Sequence, residues 1–378
     1  MSAREAGMAD HMAIVIAGGG TGGHLFPGIA VAREFLARLP NARISFAGTS
    51  RGIEARLVPR EGFPLDLIRI AGLKGKSLSE RARGAVLLPL GFVDAWRLLS
   101  HRRPGLVIGV GGYSAGPVVL AAALRGIPTL LLEQNAVPGL TNRLLAPFVR
   151  AAAVSFESTS AFFGGKAFVS GNPVRPDFLN AGALRDAVPP EAARGGMSLL
   201  VFGGSQGAHA INAAMIEAAA ALKASLPGLR LVHQTGERDL PAVREAYQSA
   251  GLPAEVEAFF DDLPRRLAQS DLVVCRAGAT TLAEITAVGA CAILVPLPSA
   301  TDDHQRQNAE ALARAGAAEV LLQKDLSGRA LVDRIARLAG DSAARRHISD
   351  AARAQGRPGA AAVIVDRALA LVDVPPPD

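Results

Sequence analysis

Ala13-Ile14-Val15-Ile16-Ala17-Gly18-Gly19-Gly20-Thr21-Gly22-Gly23-His24 is the stretch on which the fold turns. Its apolar start predicts a buried strand, and its glycines predict a tight loop. Phe26 to Leu39 then predicts a helix, with Pro27 near its first turn. Strand, glycine loop and helix make the opening unit of a Rossmann-like sheet. The unit returns as Ser198-Leu199-Leu200-Val201-Phe202, then Gly203-Gly204-Ser205-Gln206-Gly207, then a helix from Ala208 to Leu222. A chain of 378 residues has room for both, so two domains of the same kind are expected.

The remaining pattern alternates as an α/β chain should. Strands are predicted at Leu65–Ile70, Leu106–Val110, Thr129–Leu132 and Ala152–Val154, and helices at Ser79–Ser100, Pro117–Arg125 and Gly139–Leu145. In the second half, strands are predicted at Leu229–Gln234, Glu255–Ala258, Leu272–Val274, Ala292–Val295 and Glu319–Leu322. Helices fall at Leu240–Ala250, Leu263–Gln269, Leu282–Val288 and Asp303–Arg314. Gly171-Asn172-Pro173-Val174-Arg175-Pro176-Asp177 interrupts this with two prolines and reads as a hinge. The expected division is an N-terminal extension over 1–12, a first domain over 13–171, a hinge over 172–177, a second domain over 178–356 and a frayed tail over 374–378. The last helix, about 357–373, is expected to pack back on the first domain.

Composition narrows the class. The chain is 49% hydrophobic and 20% charged, which is globular. Its net charge of +6 and pI near 9.9 admit nucleic acid, an anionic membrane or phosphorylated substrates. Aromatic residues at 4% offer no stacking platform, and no zinc-finger spacing appears, so nucleic acid is set aside. Cys275 and Cys291 sit beside buried strands and read as core residues in a reducing compartment. The run Met12 to Ala17 is too short for a secretion signal, and Met8 offers an alternative start. No stretch of 18 apolar residues exists to span a bilayer.

The glycine loops admit two readings. Gly18, Gly20 and Gly23 satisfy G-x-G-x-x-G, a weak signal by itself. A dinucleotide site also needs an acid closing the second strand. Arg43 to Ala47 instead runs into Gly48-Thr49-Ser50, with Glu54 inside the next helix, so NAD is set aside. Leu272 to Val274 leads through Cys275-Arg276-Ala277-Gly278 into a helix opening at Thr280 or Thr281. A threonine there caps the first turn, whose N–H groups and dipole suit a phosphate. Glu284 then lies about one turn in, placed either to accept ribose hydroxyls or to close a capping box Thr281-x-x-Glu284.

Seven motifs in this order resemble the MurG family of peptidoglycan glycosyltransferases over nearly the whole chain. They are Gly19-Gly20-Thr21-Gly22-Gly23-His24, Gly111-Gly112-Tyr113, Glu133-Gln134-Asn135, Gly171-Asn172-Pro173-Val174-Arg175, Gly203-Gly204-Ser205-Gln206-Gly207-Ala208, Cys275-Arg276-Ala277-Gly278-Ala279 with Thr281 and Glu284, and His304-Gln305 with Asn308-Ala309. The resemblance implies a GT-B fold, two Rossmann-like domains facing a cleft. It implies an inverting transfer of N-acetylglucosamine from UDP-N-acetylglucosamine to lipid-linked N-acetylmuramyl-pentapeptide, without cofactor or metal. The wider context it implies is cell-wall synthesis, and with it cell shape and division. A UDP-N-acetylglucosamine epimerase of the same fold and a non-catalytic UDP-sugar sensor are the alternatives.

The same resemblance assigns residues. Uracil is expected at the backbone of Phe260, where relatives carry an aliphatic residue, and ribose at Glu284. The diphosphate is expected over Ser205 and the helix start formed by Ala279, Thr280, Thr281, Leu282 and Ala283, with Arg175 approaching from the hinge. The sugar is expected at Gln305, Asn135 and the Thr21-Gly22-Gly23 loop. His24 is the candidate base, with Glu133 in reserve. Plainer roles compete: His24 holding its loop, Asn135 capping a helix, Gln305 a solvated surface residue. Asp261-Asp262 and Asp302-Asp303 each precede a helix and read as N-caps, not metal ligands.

One stretch reads as a membrane face on the cytoplasmic side. Lys74, Lys76, Arg81 and Arg83 are opposed only by Glu80, and Val86-Leu87-Leu88-Pro89-Leu90-Gly91-Phe92-Val93 follows, with Trp96 one turn on. A helical face of Leu87, Leu88, Phe92 and Trp96 beside these cations suits reversible binding to an anionic membrane surface, although Pro89 should bend it.

Overall fold

The computed structural model describes residues 12–70, 78–186, 196–204 and 206–372, with side chains for all of these except 78–88, 186 and 301. The expected N-terminal extension up to residue 11, the tail over 374–378, Ser205, and the side chains of Leu87, Leu88 and the four basic residues of the membrane stretch lie outside them.

The described residues up to Arg175, joined by those from Pro358 on, form one compact unit. In chain order it contains β1 (Ala13–Gly18), α1 (Gly22–Arg38), β2 (Arg43–Gly48), α2 (Glu54–Arg60), β3 (Leu65–Leu67), α3 (Leu78–Arg102), β4 (Leu106–Gly111), α4 (Ala115–Leu124), β5 (Thr129–Glu133), α5 (Leu140–Leu145), β6 (Ala151–Val154), α6 (Glu157–Phe163) and β7 (Ala167–Val169). The strands pair in parallel in the order β3-β2-β1-β4-β5-β6-β7. Both faces of the sheet are covered. Ile14 and Ile16 join a core with Leu25 and Phe35, while Val15 and Ala17 join another with Leu99 and Val118. That is why these strands read as unbroken apolar runs and not as alternations.

The residues from Pro176 to Arg357 form the second unit. It contains α7 (Pro176–Asp186), β8 (Ser198–Phe202), α8 (His209–Ser225), β9 (Arg230–Gln234), α9 (Leu240–Ser249), β10 (Ala254–Glu257), α10 (Leu263–Gln269), β11 (Leu272–Cys275), α11 (Ala279–Val288), β12 (Ala292–Leu294), α12 (His304–Arg314), β13 (Glu319–Val320), α13 (Gly328–Gly340) and α14 (Ser342–Gln355). Its parallel sheet runs β10-β9-β8-β11-β12-β13, the same doubly wound order as the first. In each sheet the order reverses beside the opening strand, so the crevice for a ligand lies at the carboxyl ends of β1 and β4, and of β8 and β11. The last helix, α15 (Ala360–Val372), packs on α1 of the first unit, and Asp366 pairs with Arg38.

Several boundaries differ from expectation. Helix α1 starts at Gly22, not Phe26, so His24 is helical and Pro27 is interior. The ladder begins where the Leu25 N–H reaches the Thr21 carbonyl at 3.2 Å, and the poor helix propensity of two glycines hides that turn in the sequence. Helix α11 starts at Ala279 with Gly278 as N-cap, because the Leu282 N–H donates to the Gly278 carbonyl at 2.9 Å. Thr281 therefore sits inside the first turn, and the capping box is not formed. Asp262 and Asp303 occupy N-cap positions but cap nothing: Asp262 holds Arg266 at 2.5 Å, and Asp303 pairs with Arg306. The elements α6, β7 and α7 were not among those expected.

Candidate active site

In the first unit the glycine loop after β1 meets the loop after β4. Gly112 lies so close to Gly19 that a Cβ on it would stand 2.5 Å from the Gly19 carbonyl, and its φ is +79°. A side chain there would be both strained and obstructed. Thr21 caps α1 through its backbone, and its Oγ1 lies 3.3 Å from His24 Nδ1. The His24 ring lies against Gly111, where an added Cβ would meet Cδ2 at 2.8 Å and Nε2 at 3.1 Å. Gly22 and Gly23 supply the first turn of α1, so the expected Thr21-Gly22-Gly23 loop is a helix start.

What holds that loop is Glu54, which sequence reasoning used only to set aside NAD. It is 1% exposed. One oxygen accepts the Gly20 N–H at 2.8 Å, and the other accepts the Thr49 N–H at 2.9 Å and the Thr49 hydroxyl at 2.8 Å. Burial works to raise its pKa, but the donors from Gly20 and Thr49 outweigh it, and the carboxyl lies below its ordinary range. Cβ atoms added to Gly19, Gly48 and Gly52 would fall within 2.6 Å of its side chain, so three glycines make the pocket for one acid. No local pattern in the sequence marks it, because Gly19 meets Gly48 and Gly52 around the acid only once β1 and β2 have paired.

Glu133 closes β5 and is 2% exposed. Burial pushes its carboxyl above the ordinary range, against four N–H donors that favour the anion. The donors are Asn135 N–H at 3.0 Å and Nδ2 at 3.3 Å on one oxygen, and Gly139 N–H at 3.0 Å and Asn142 Nδ2 at 2.9 Å on the other. Both oxygens face inward to their own loop. This arrangement suits an organiser of Asn135 better than a base. Asn135 caps no helix, because the N-cap of α5 is Gly139. Arg175 lies in this unit too, its guanidinium 5.2 Å from the Phe26 ring centroid on α1.

In the second unit the glycine loop after β8 sits against the loop after β9. A Cβ on Gly207, whose φ is +71°, would fall 1.8 Å from the Thr235 carbonyl. At the backbone of Phe260, where uracil is expected, the N–H is already donated to Gln234 Oε1 at 3.0 Å. A base at this backbone would therefore meet the Phe260 carbonyl. The Phe260 ring is buried under Arg266, whose guanidinium lies 3.9 Å from its centroid.

Behind the loop a buried polar chain ties β9 to two helices. His233 Nδ1 lies 2.7 Å from Tyr247 Oη, and Nε2 lies 3.0 Å from Asn212 Oδ1. The Asn212 amide donates to the Thr235 carbonyl and to Asp239, so its oxygen faces a protonated Nε2. Burial drops the His233 pKa to about 3 and keeps it neutral.

At the start of α11, Ala279, Thr280 and Thr281 form the first turn after Gly278, and the positive end of the helix dipole there suits an anion. Leu282 is buried behind them and Ala283 is half-buried. Glu284 is 7% exposed, about one and a half turns in. Gln305 is not a solvated surface residue. Its Oε1 accepts from Ala277 N–H at 3.3 Å and Leu297 N–H at 3.0 Å, joining the loops after β11 and β12. Arg276 is likewise internal, reaching the Val295 carbonyl at 3.0 Å and Gln323 Oε1 at 2.8 Å. Among the described residues no group of three or more His, Cys, Asp and Glu is arranged to hold a metal.

Comparison with known proteins follows these two halves. Residues 14–154 match the glycosyltransferase family 28 N-terminal domain, and residues 198–364 match its C-terminal domain. The UDP-N-acetylglucosamine--N-acetylmuramyl-(pentapeptide) pyrophosphoryl-undecaprenol N-acetylglucosamine transferase of Pelobacter propionicus is 48% identical over 375 residues, covering 95% of this chain and 99% of that protein. The crystal structure of Acinetobacter baumannii MurG superposes with a TM-score of 0.78 at 31% identity, covering 95% of this chain and 99% of the other. A UDP-GlcNAc 2-epimerase from Neisseria meningitidis superposes with a TM-score of 0.66 at 15% identity, covering 95% and 100%, which is a likeness of fold.

Proposed function

The chain belongs to glycosyltransferase family 28, in its MurG branch, and from that premise we propose how its residues carry the reaction. It is an N-acetylglucosaminyltransferase. It moves N-acetylglucosamine from UDP-N-acetylglucosamine to the undecaprenyl-pyrophosphoryl N-acetylmuramyl-pentapeptide, an inverting step of peptidoglycan synthesis. The observation that carries this is full-length similarity to transferases named for that reaction. The epimerase likeness reaches only the shared fold.

The second unit takes the donor. Glu284 accepts the ribose hydroxyls, and the Phe260 carbonyl accepts from uracil. The diphosphate lies over the glycine loop at Gly203-Gly204-Ser205 and the start of α11, where fixed N–H dipoles stabilise charge on the leaving UDP. Gln305 contacts the sugar, and Arg175 adds positive charge for the phosphates. The first unit takes the acceptor, with Thr21, Gly22, Gly23 and Asn135 around the sugars. A hydroxyl of the acceptor attacks the anomeric carbon, the bond from that carbon to UDP breaks, and His24 takes the hydroxyl proton. Glu133 holds Asn135 in place. The stretch over 172–177 serves as the hinge that lets the two domains move.

No helix among the described residues is long and apolar enough to cross a membrane. The acceptor's lipid tail stays in the bilayer, so the reading requires peripheral contact with the cytoplasmic face. On α3, Phe92 of the expected face packs against the core, whereas Leu90, Val93 and Trp96 are each about two-fifths exposed on a single helical stripe and support it.

One experiment tests the reaction: the protein is mixed with UDP-N-acetylglucosamine, with and without the lipid-linked acceptor. UDP release that depends on acceptor is expected. Conversion of the donor to its 2-epimer without acceptor would instead mean an epimerase, and binding without turnover a sensor.

A further inference from the structure

Gln234 is the last residue of β9, the strand between β10 and β8, and it is 1% exposed. Its carboxamide reaches to both sides. Nε2 donates to the Gly204 carbonyl at 2.9 Å, and Oε1 accepts the Phe260 N–H at 3.0 Å. One partner is a carbonyl and the other an N–H, so the amide has a single orientation that satisfies both. Gly204 belongs to the glycine loop after β8, and Phe260 to the segment between β10 and α10. The backbone beyond Gln234 continues the wedge. Thr235 N–H donates to Glu257 and Gly236 N–H to Ala258, both at 3.0 Å, while a Cβ on Gly236 would stand 2.5 Å from the Gln206 carbonyl.

We propose that Gln234 is a positioning residue for the nucleotide: its one side chain sets the spacing between the loop that cradles the diphosphate and the backbone that meets the base. This rests on the donor-site reading above. It also gives the base site its chemistry. With the Phe260 N–H held by Gln234, the backbone offers a carbonyl, which accepts from the N3–H of uracil and opposes the N3 lone pair of cytosine. Gln234 is buried with its amide engaged on both sides, so its effect is transmitted through Gly204 and Phe260.

The test is calorimetry with UDP on the full chain at about pH 9 and about pH 5.5, comparing wild type with Gln234→Glu and Gln234→Asn. At the higher pH the Gln234→Glu carboxylate faces the Gly204 carbonyl without a proton to donate, and UDP affinity relative to wild type should fall at least about tenfold. At the lower pH the protonated acid regains one donor and one acceptor, and the ratio should recover to within about threefold of wild type. Gln234→Asn, one methylene short of the span, should be weakened at both pH values. A Gln234→Glu ratio that is the same at both pH values, or wild-type affinity in Gln234→Asn, overturns the positioning role. Wild-type protein that fails to bind UDP overturns the donor-site reading itself, which separates the two failures.

Discussion

The Glu54 carboxylate accepts the Gly20 backbone N–H at 2.8 Å across 34 residues of sequence, so α2 holds the glycine loop of β1 from outside that loop. Removing one acceptor strands buried donors, at a cost of roughly 1–3 kcal/mol. Glu54→Gln should therefore lower the unfolding free energy by about that much and lower kcat with it. The pH dependence has a definite sign. The folded pKa is depressed, so the stabilisation is present above the unfolded pKa and is lost as pH falls through the folded one. Denaturant unfolding below about pH 4 should weaken wild type more steeply than Glu54→Gln. Parallel pH curves for the two proteins would remove Glu54 from this role.

His24 stands on the first turn of α1 with Nδ1 near Thr21 Oγ1. If it takes the acceptor proton, His24→Ala should reduce kcat by ~10²–10⁴ while UDP affinity stays nearly unchanged. Thr21→Val leaves the imidazole but removes its neighbour, and should lower kcat by less than His24→Ala does. Near-full turnover by His24→Ala would take His24 out of the chemistry. Glu133 is a poor substitute, with both oxygens engaged by four N–H donors.

Much of the fold was legible in the sequence because parallel strands buried on both faces write themselves as apolar runs, and Ile14–Ala17 and Leu199–Phe202 are such runs. The glycine loops were legible because their residue type is rare outside turns. What stabilises those loops was not. Glu54 reaches Gly20, and Gln234 reaches Gly204 and Phe260, only after the strands have paired, and no local pattern marks such distant partners. Local rules also misled where the chain is locally ambiguous. Thr281 before Glu284 has the spacing of a capping box, yet the ladder starts one turn earlier at Gly278. Asp303 precedes α12 as a cap would, but its left-handed backbone turns its carboxylate to Arg306.

Glu284 now has one competing role fewer, since Thr281 forms no capping box with it. Glu284→Ala should weaken UDP-N-acetylglucosamine binding by ~1.5–3 kcal/mol, the worth of a charged hydrogen-bonding group, with the fold intact. Calorimetry and a melting curve together decide it. Unchanged donor affinity with a large fall in Tm would make Glu284 a structural acid of α11 and not a ribose ligand.

The membrane face can be tested on α3 itself. Leu90, Val93 and Trp96 recur every three residues and drift by about 60° per step, a stripe some 120° wide. Trp96 is braced as well as exposed: the Phe92 ring lies 6.0 Å away, and the Arg125 guanidinium lies 5.1 Å over its ring while donating to its carbonyl at 3.1 Å. An indole held at a surface beside a cation suits the headgroup layer. Lys74, Lys76, Arg81 and Arg83 precede this stripe in sequence, and each adds ~1 kcal/mol of attraction near anionic lipid. The protein should pellet with vesicles containing anionic lipid, much less with neutral ones, and salt should release part of it. Val93→Glu with Trp96→Glu should abolish the apolar share and leave a weak, fully salt-sensitive remainder. Changing the four basic residues to Gln should do the reverse. UDP affinity should be unchanged in both, because neither set lies in the second unit. Full pelleting by both variants would place the membrane contact on another surface.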